Sequence, residues 1–119
     1  MPWLLRDGEV LATLEVAESF EARLRGLLGH DGVEGALLLR PARSVHTFGM
    51  RFPIDVAFCD KGLMVVDVVT MRPHRLGRPR LSARCVIEAE AGAFERWRLR
   101  PGDVLEIKTG TRGRRVPWS

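Results

Sequence analysis

SVHTFGMRFPIDVAFCDKGLMVVDVVTM, residues 44–71, is the stretch on which the fold turns. Its second half reads as two apolar strands, Ile54–Cys59 and Leu63–Met71, joined at Asp60-Lys61-Gly62 by a glycine-containing hairpin turn. Leu63 to Val69 is apolar except at Asp67, which predicts a central strand covered on both faces and a partner for Asp67. Residues 44–60 set His46, Met50, Pro53, Asp55 and Cys59 among Val45, Phe48, Phe52, Ile54, Val56 and Phe58. Polar groups buried there unpaired would each cost roughly 1–3 kcal/mol, so they hold a turn together or do chemistry.

Working outward towards the N-terminus, Ala36–Leu39 lies between Gly35 and Pro41, too short for a helix, and reads as a buried strand. Ser19 is a good N-cap for a short amphipathic helix carrying Phe20, Leu24, Leu27 and Leu28, closed by Gly29, with His30 in the following turn. Leu4 to Val10 reads as a hairpin through Asp7-Gly8. Val10 to Val16 then alternates as a half-buried strand, with Val10, Ala12, Leu14 and Val16 on one side.

Towards the C-terminus, residues 72–84 (RPHRLGRPRLSAR) hold five Arg, one His, two Pro and no acid, which predicts a loop. Cys85–Glu90 is a further strand, Ala91–Trp97 a short helix, and Pro101-Gly102-Asp103 a turn into a last strand, Val104–Lys108. Residues 1–110 read as a single globular domain, and residues 111–119, a patternless basic stretch, as a flexible tail.

Composition bounds the function classes. With 45% hydrophobic and 29% charged residues, this is an ordinary soluble globular composition. No apolar run approaches the ~20 residues needed to span a bilayer. MPWLLRDGEV carries no secretory signal, so the expected location is the cytoplasm. Two cysteines, Cys59 and Cys85, are too few for a disulfide framework and read as buried reduced thiols. Charge is lopsided: residues 1–71 carry seven Lys/Arg against ten Asp/Glu, and residues 72–119 twelve against five.

Taken together, the landmarks SFEARLRGLLG, GALLLRPARSVHTFGMRFPIDVAFCDKG and CVIEAEAGAFERWRLRPGDVLEI resemble the prokaryotic family known as domain of unknown function 192, over about residues 10–108. Many members carry a Trp-Met-Lys-Asn-Thr run before the Pro-x-Asp. Here His46-Thr47-Phe48-Gly49-Met50 stands in its place, as in one branch of the family. The resemblance implies a mainly β (α+β) domain, a compact β-sandwich or partly closed barrel with one or two short helices, and it implies no activity.

The chemistry of residues 44–60 admits several readings. If Arg51-Phe52 were the tip of a tight hairpin, His46, Phe48, Met50, Asp55 and Cys59 would share a face; one extra loop residue would move His46 to the other. The preferred reading is a ligand- or partner-binding module, with His46 and Asp55 as a polar pair beside a pocket of Phe48, Met50 and Phe52. The runner-up is a small hydrolase-like enzyme, with Ser44 or Cys59 as nucleophile, His46 as base and Asp55 as orienter. A soft-metal site on His46, Met50 and Cys59 lacks a fourth ligand, so neither metal nor cofactor is expected. Arg75, Arg78 and Arg80, with Arg72 and Arg84, are candidate anion-binding residues. Without a helix-turn-helix, zinc module or aromatic platform, a small molecule or a protein is the expected partner rather than nucleic acid. A monomer or weak dimer is expected.

Overall fold

The computed structural model describes residues 2–17 and 35–109. The expected helix from Ser19, His30 and the basic tail lie outside the described residues. Among the described residues seven strands form one open sheet, β1 (Pro2–Arg6), β2 (Glu9–Ala17), β3 (Ala36–Leu39), β4 (Ile54–Cys59), β5 (Val65–Met71), β6 (Cys85–Glu90) and β7 (Glu106–Thr109), with one short helix, α1 (Ala93–Trp97). The spatial order is β5-β4-β6-β3-β2-β1-β7. Every neighbouring pair is antiparallel except β2 and β3. The fold is therefore mainly β with a small helical part, as expected, and the sheet does not close.

Local chemistry accounts for the turns. Asp7 and Gly8 both have positive φ, 53° and 80°, which lets β1 fold back on β2. Asp60 holds the β4–β5 turn, its Oδ1 accepting the N–H of Gly62 and of Met64, each at 2.9 Å. The alternation expected along β2 is interrupted where Leu4 pairs with Ala12 but Leu5 with Val10. Leu11 is the extra residue of this bulge, and Leu11 and Ala12 both pack on the same core. Val10 is consequently turned away from the buried Leu14 and exposed; Val16, on Leu14's side of the strand, is exposed as well.

Two further differences from the sequence reading shape the site. The Leu63–Met71 stretch is not a central strand. β5 is an edge strand, and Leu63, with φ 68°, belongs to the turn before it. An apolar run marks burial of a strand's side chains and carries no information about hydrogen bonding on both edges. Nor do residues 44–60 fold as a tight hairpin, since His46 forms its β-bridge with Leu76.

The sheet separates two cores. One face carries Ala57, Cys59, Cys85, Ile87 and Ala89 under α1, Leu99 and Leu105. The other carries Ile54, Val56, Phe58, Met71 and Val86, with Val45, Met50 and Ala83 from the loops laid across it. The central strands β4 and β6 are buried along almost their whole length. Cys59 and Cys85 sit opposite each other on β4 and β6, both buried as free thiols.

Candidate functional site

The loop that carries His46 is built onto the arginine loop. The Gly77 N–H donates to the Val45 carbonyl at 2.8 Å, the Thr47 N–H to the Arg75 carbonyl at 2.8 Å, and the Arg80 N–H to the Arg43 carbonyl at 2.9 Å. Thr47, completely buried, is the rivet. Its hydroxyl donates to the Arg72 carbonyl at 2.6 Å and accepts the Arg75 N–H at 2.8 Å. Its carbonyl accepts the N–H of Met50 and of His74. Gly77 permits the close approach, because a Cβ there would stand 2.9 Å from the Val45 carbonyl oxygen. The two stretches singled out in the sequence as separate candidates thus form one structural unit. Nothing in the sequence marked Thr47, whose importance arises from partners 25 and 28 residues away.

His46 and Asp55 lie on different sides of the sheet. Val45 and Met50, on either side of His46, pack with Ile54, Val56 and Phe58, whereas Asp55 points to the opposite face. The Asp55 carboxylate is buried and its oxygens are committed. Oδ1 accepts the Thr70 hydroxyl at 2.6 Å, and Oδ2 accepts the Gly92 N–H at 2.9 Å and the Phe94 N–H at 3.1 Å. It therefore caps the first turn of α1 from the neighbouring strand, in place of a side chain at Gly92, whose φ of 97° starts the helix. His46 Nδ1 accepts the Phe48 N–H at 3.3 Å, and its ring stacks on Phe48 at 5.0 Å between centroids. Phe48 is half exposed, Phe52 partly buried against the core of Ile54, Val56 and Phe58, and Met50 fully buried within it.

Of the candidate nucleophiles, Ser44 is exposed and Cys59 is fully buried on the Asp55 face of β4. Its hydrogen bond with Cys85, followed by burial, pushes the Cys59 thiol well above the ordinary range, so the nucleophilic thiolate is disfavoured there. Among the described residues no three His, Cys, Asp or Glu side chains are grouped to hold a metal ion.

The arginines show a different economy. Asp67, expected to need a partner, has one: Arg80 donates to its Oδ2 from Nε at 2.9 Å and Nη2 at 2.8 Å, while stacking 4.1 Å above the Phe58 ring. Arg80 is thus the clamp that fixes the loop to β5. Arg72, Arg75 and Arg78 are exposed, and among the described residues none of them forms an ion pair. With Val69, Thr70, Met71, Leu76 and Gly77 they line a cleft of about 470 Å³. A second cleft, of about 480 Å³, opens on the opposite face of β5 between Thr70, Phe94, Arg98 and Arg100.

The family model "Uncharacterized ACR", domain of unknown function 192, matches residues 4–107. A UPF0127 protein of Thermococcus gammatolerans is 36% identical over 98 residues, covering 77% of this chain but 64% of the relative's own length. A UPF0127 protein of Pyrococcus horikoshii is 33% identical over 105 residues, 84% of this chain and 88% of the relative. The crystal structure of a protein of unknown function from Novosphingobium aromaticivorans superimposes with a TM-score of 0.69 at 18% identity, covering 88% of this chain and 82% of that one. That likeness is one of fold. No helix among the described residues is long and apolar enough to cross a membrane.

Proposed function

Since the chain belongs to the domain of unknown function 192 family, which carries no assigned activity, its role is read from its own clefts, and we propose that it is a binding module for an anionic ligand bearing a carboxylate or phosphate. The carrying observation is the cleft of Arg72, Arg75 and Arg78, whose guanidiniums have no acidic partner among the described residues, on a loop locked by Thr47 and Arg80. Holding three like charges together is unfavourable in itself, and an anion offsets that cost with charge-assisted hydrogen bonds. A planar guanidinium donates two parallel N–H groups, the geometry that carboxylate and phosphate accept. Val69, Met71 and Leu76 supply an apolar floor for the body of such a ligand. The 44–50 loop contributes by shaping the arginine loop rather than by pairing His46 with Asp55.

Calorimetric titration with inorganic phosphate and with succinate tests this. Binding should weaken as salt rises, and the double variant Arg75→Ala/Arg78→Ala should lose about tenfold or more in affinity. Equal affinity of wild type and variant, or affinity insensitive to salt, overturns it.

A further inference from the structure

We infer that the C-terminal part of β5 is a docking edge for an extended acidic peptide segment, an inference that rests on the anion reading of the arginine cleft. Among the described residues β5 is the last strand of the sheet on its side. The beginning of its outer edge is covered. The Val65 N–H donates to the Asp103 carbonyl and the Val65 carbonyl accepts the Gly102 N–H, both at 2.8 Å. Further along, the Val68 N–H donates to the Asp67 carboxylate at 2.9 Å, and Arg80 holds that carboxylate in place. Two residues on, at the two-residue period of a strand, comes Thr70, which is exposed. The open part of the edge is therefore short and lies around Thr70.

That is where the two clefts meet. Both are lined by Val69 and Thr70, one on each face of β5. On one face stand Arg72, Arg75 and Arg78. On the other stand Arg98 and Arg100, with Glu95 the opposing exposed acid. None of these five arginines forms an ion pair among the described residues. A small anion satisfies one face only. An extended peptide added to the edge sends successive side chains to alternate faces, so its carboxylates reach both sets of arginines while its backbone pairs with Thr70. Leu76, 72% exposed beside the first cleft, offers an apolar contact to a residue between the acids. Pairing of β5 with β5 of a second copy would set these arginines against one another. A single-stranded nucleic acid supplies charge but nothing to match a strand's amide edge.

Fluorescence anisotropy with a labelled peptide of repeated Glu-Glu-Val, whose adjacent glutamates face opposite sides of an extended strand, beside the same peptide N-methylated on the amides of one edge, tests the inference. The unmodified peptide should bind in a salt-sensitive way, and N-methylation should weaken it about tenfold. Arg75→Ala and Arg98→Ala, from opposite faces, should each weaken it about threefold to tenfold. Equal binding of the N-methylated peptide overturns edge docking, as does a loss confined to Arg75→Ala. Tighter binding of an oligothymidylate of similar length assigns the charge to nucleic acid instead. Dimerisation through β5 in sedimentation assigns the edge to a second copy. Peptide failure with phosphate binding intact removes the edge and leaves the anion cleft; failure of both removes both.

Discussion

Asp55 and the arginine loop are the two charged regions of this molecule that attract functional readings, and they spend their charge in opposite ways. Asp55 is buried and its oxygens take three donors, from Thr70, Gly92 and Phe94. Arg72, Arg75 and Arg78 are exposed, and among the described residues their guanidiniums meet no acid. A charge that is fully accommodated is a fastening: it ties α1 to β4 and β5. A charge held on a rigid loop without a counterion is available to something else. The difference separates scaffold from site more surely than residue type does, since an Asp beside a His looks catalytic in a sequence and a run of Arg looks like a solvated loop.

The largest expected effect breaks the fastening. Asp55→Ala leaves the Gly92 and Phe94 amides and the Thr70 hydroxyl without their acceptor, and should cost about 3 kcal/mol of unfolding free energy in urea titration. Asp55→Asn sharpens the comparison. Its carbonyl oxygen can still accept both amides and its NH2 can donate to Thr70, so the cost should fall to about 1 kcal/mol. Equal losses in the two variants would mean that the charge, not the hydrogen-bond pattern, matters, and the capping account would be wrong.

A smaller effect is expected where scaffold and site are joined. Thr47→Val keeps the shape of a fully buried side chain but removes the hydroxyl that donates to Arg72 and accepts from Arg75. The freed Arg75 amide should cost about 1–2 kcal/mol. Because the two loops share this hydroxyl, phosphate affinity should fall as well, which Asp55→Asn should leave unchanged. Retention of full affinity by Thr47→Val would show that the cleft does not depend on the rivet.

How far the sequence foretold these regions follows from the range of the interactions. The hairpins at Asp7-Gly8 and Asp60-Lys61-Gly62, the strand Ala36–Leu39 and the short helix before Trp97 are set by neighbours in the chain, and they stand in the structure close to where they were read. Asp67 declared its need of a partner by standing alone in an apolar strand, and Arg80 supplies it. The edge position of β5 was invisible because strand order depends on pairings between residues far apart. The separation of His46 from Asp55 was invisible for a related reason: it hangs on a loop register that the bridge to Leu76 decides. Glu88, fully buried on β6, carries no signal of its burial in the surrounding sequence.

The smallest effect on stability is expected where the effect on binding is greatest. Neutralising the cleft with Arg75→Gln/Arg78→Gln removes two exposed charges that are fastened to nothing among the described residues. Surface changes away from caps, cores and networks stay within about ±0.5 kcal/mol. Here the sign should be slightly favourable, since relief of repulsion among Arg72, Arg75 and Arg78 outweighs the loss of solvated charge. Raising the salt concentration should screen the same repulsion and bring wild type level with the variant. Urea titrations at low and high salt, run beside the phosphate calorimetry, check both halves. A variant that loses stability as Asp55→Ala does would show the arginines to be fastenings too, and would erase the distinction on which the binding proposal stands.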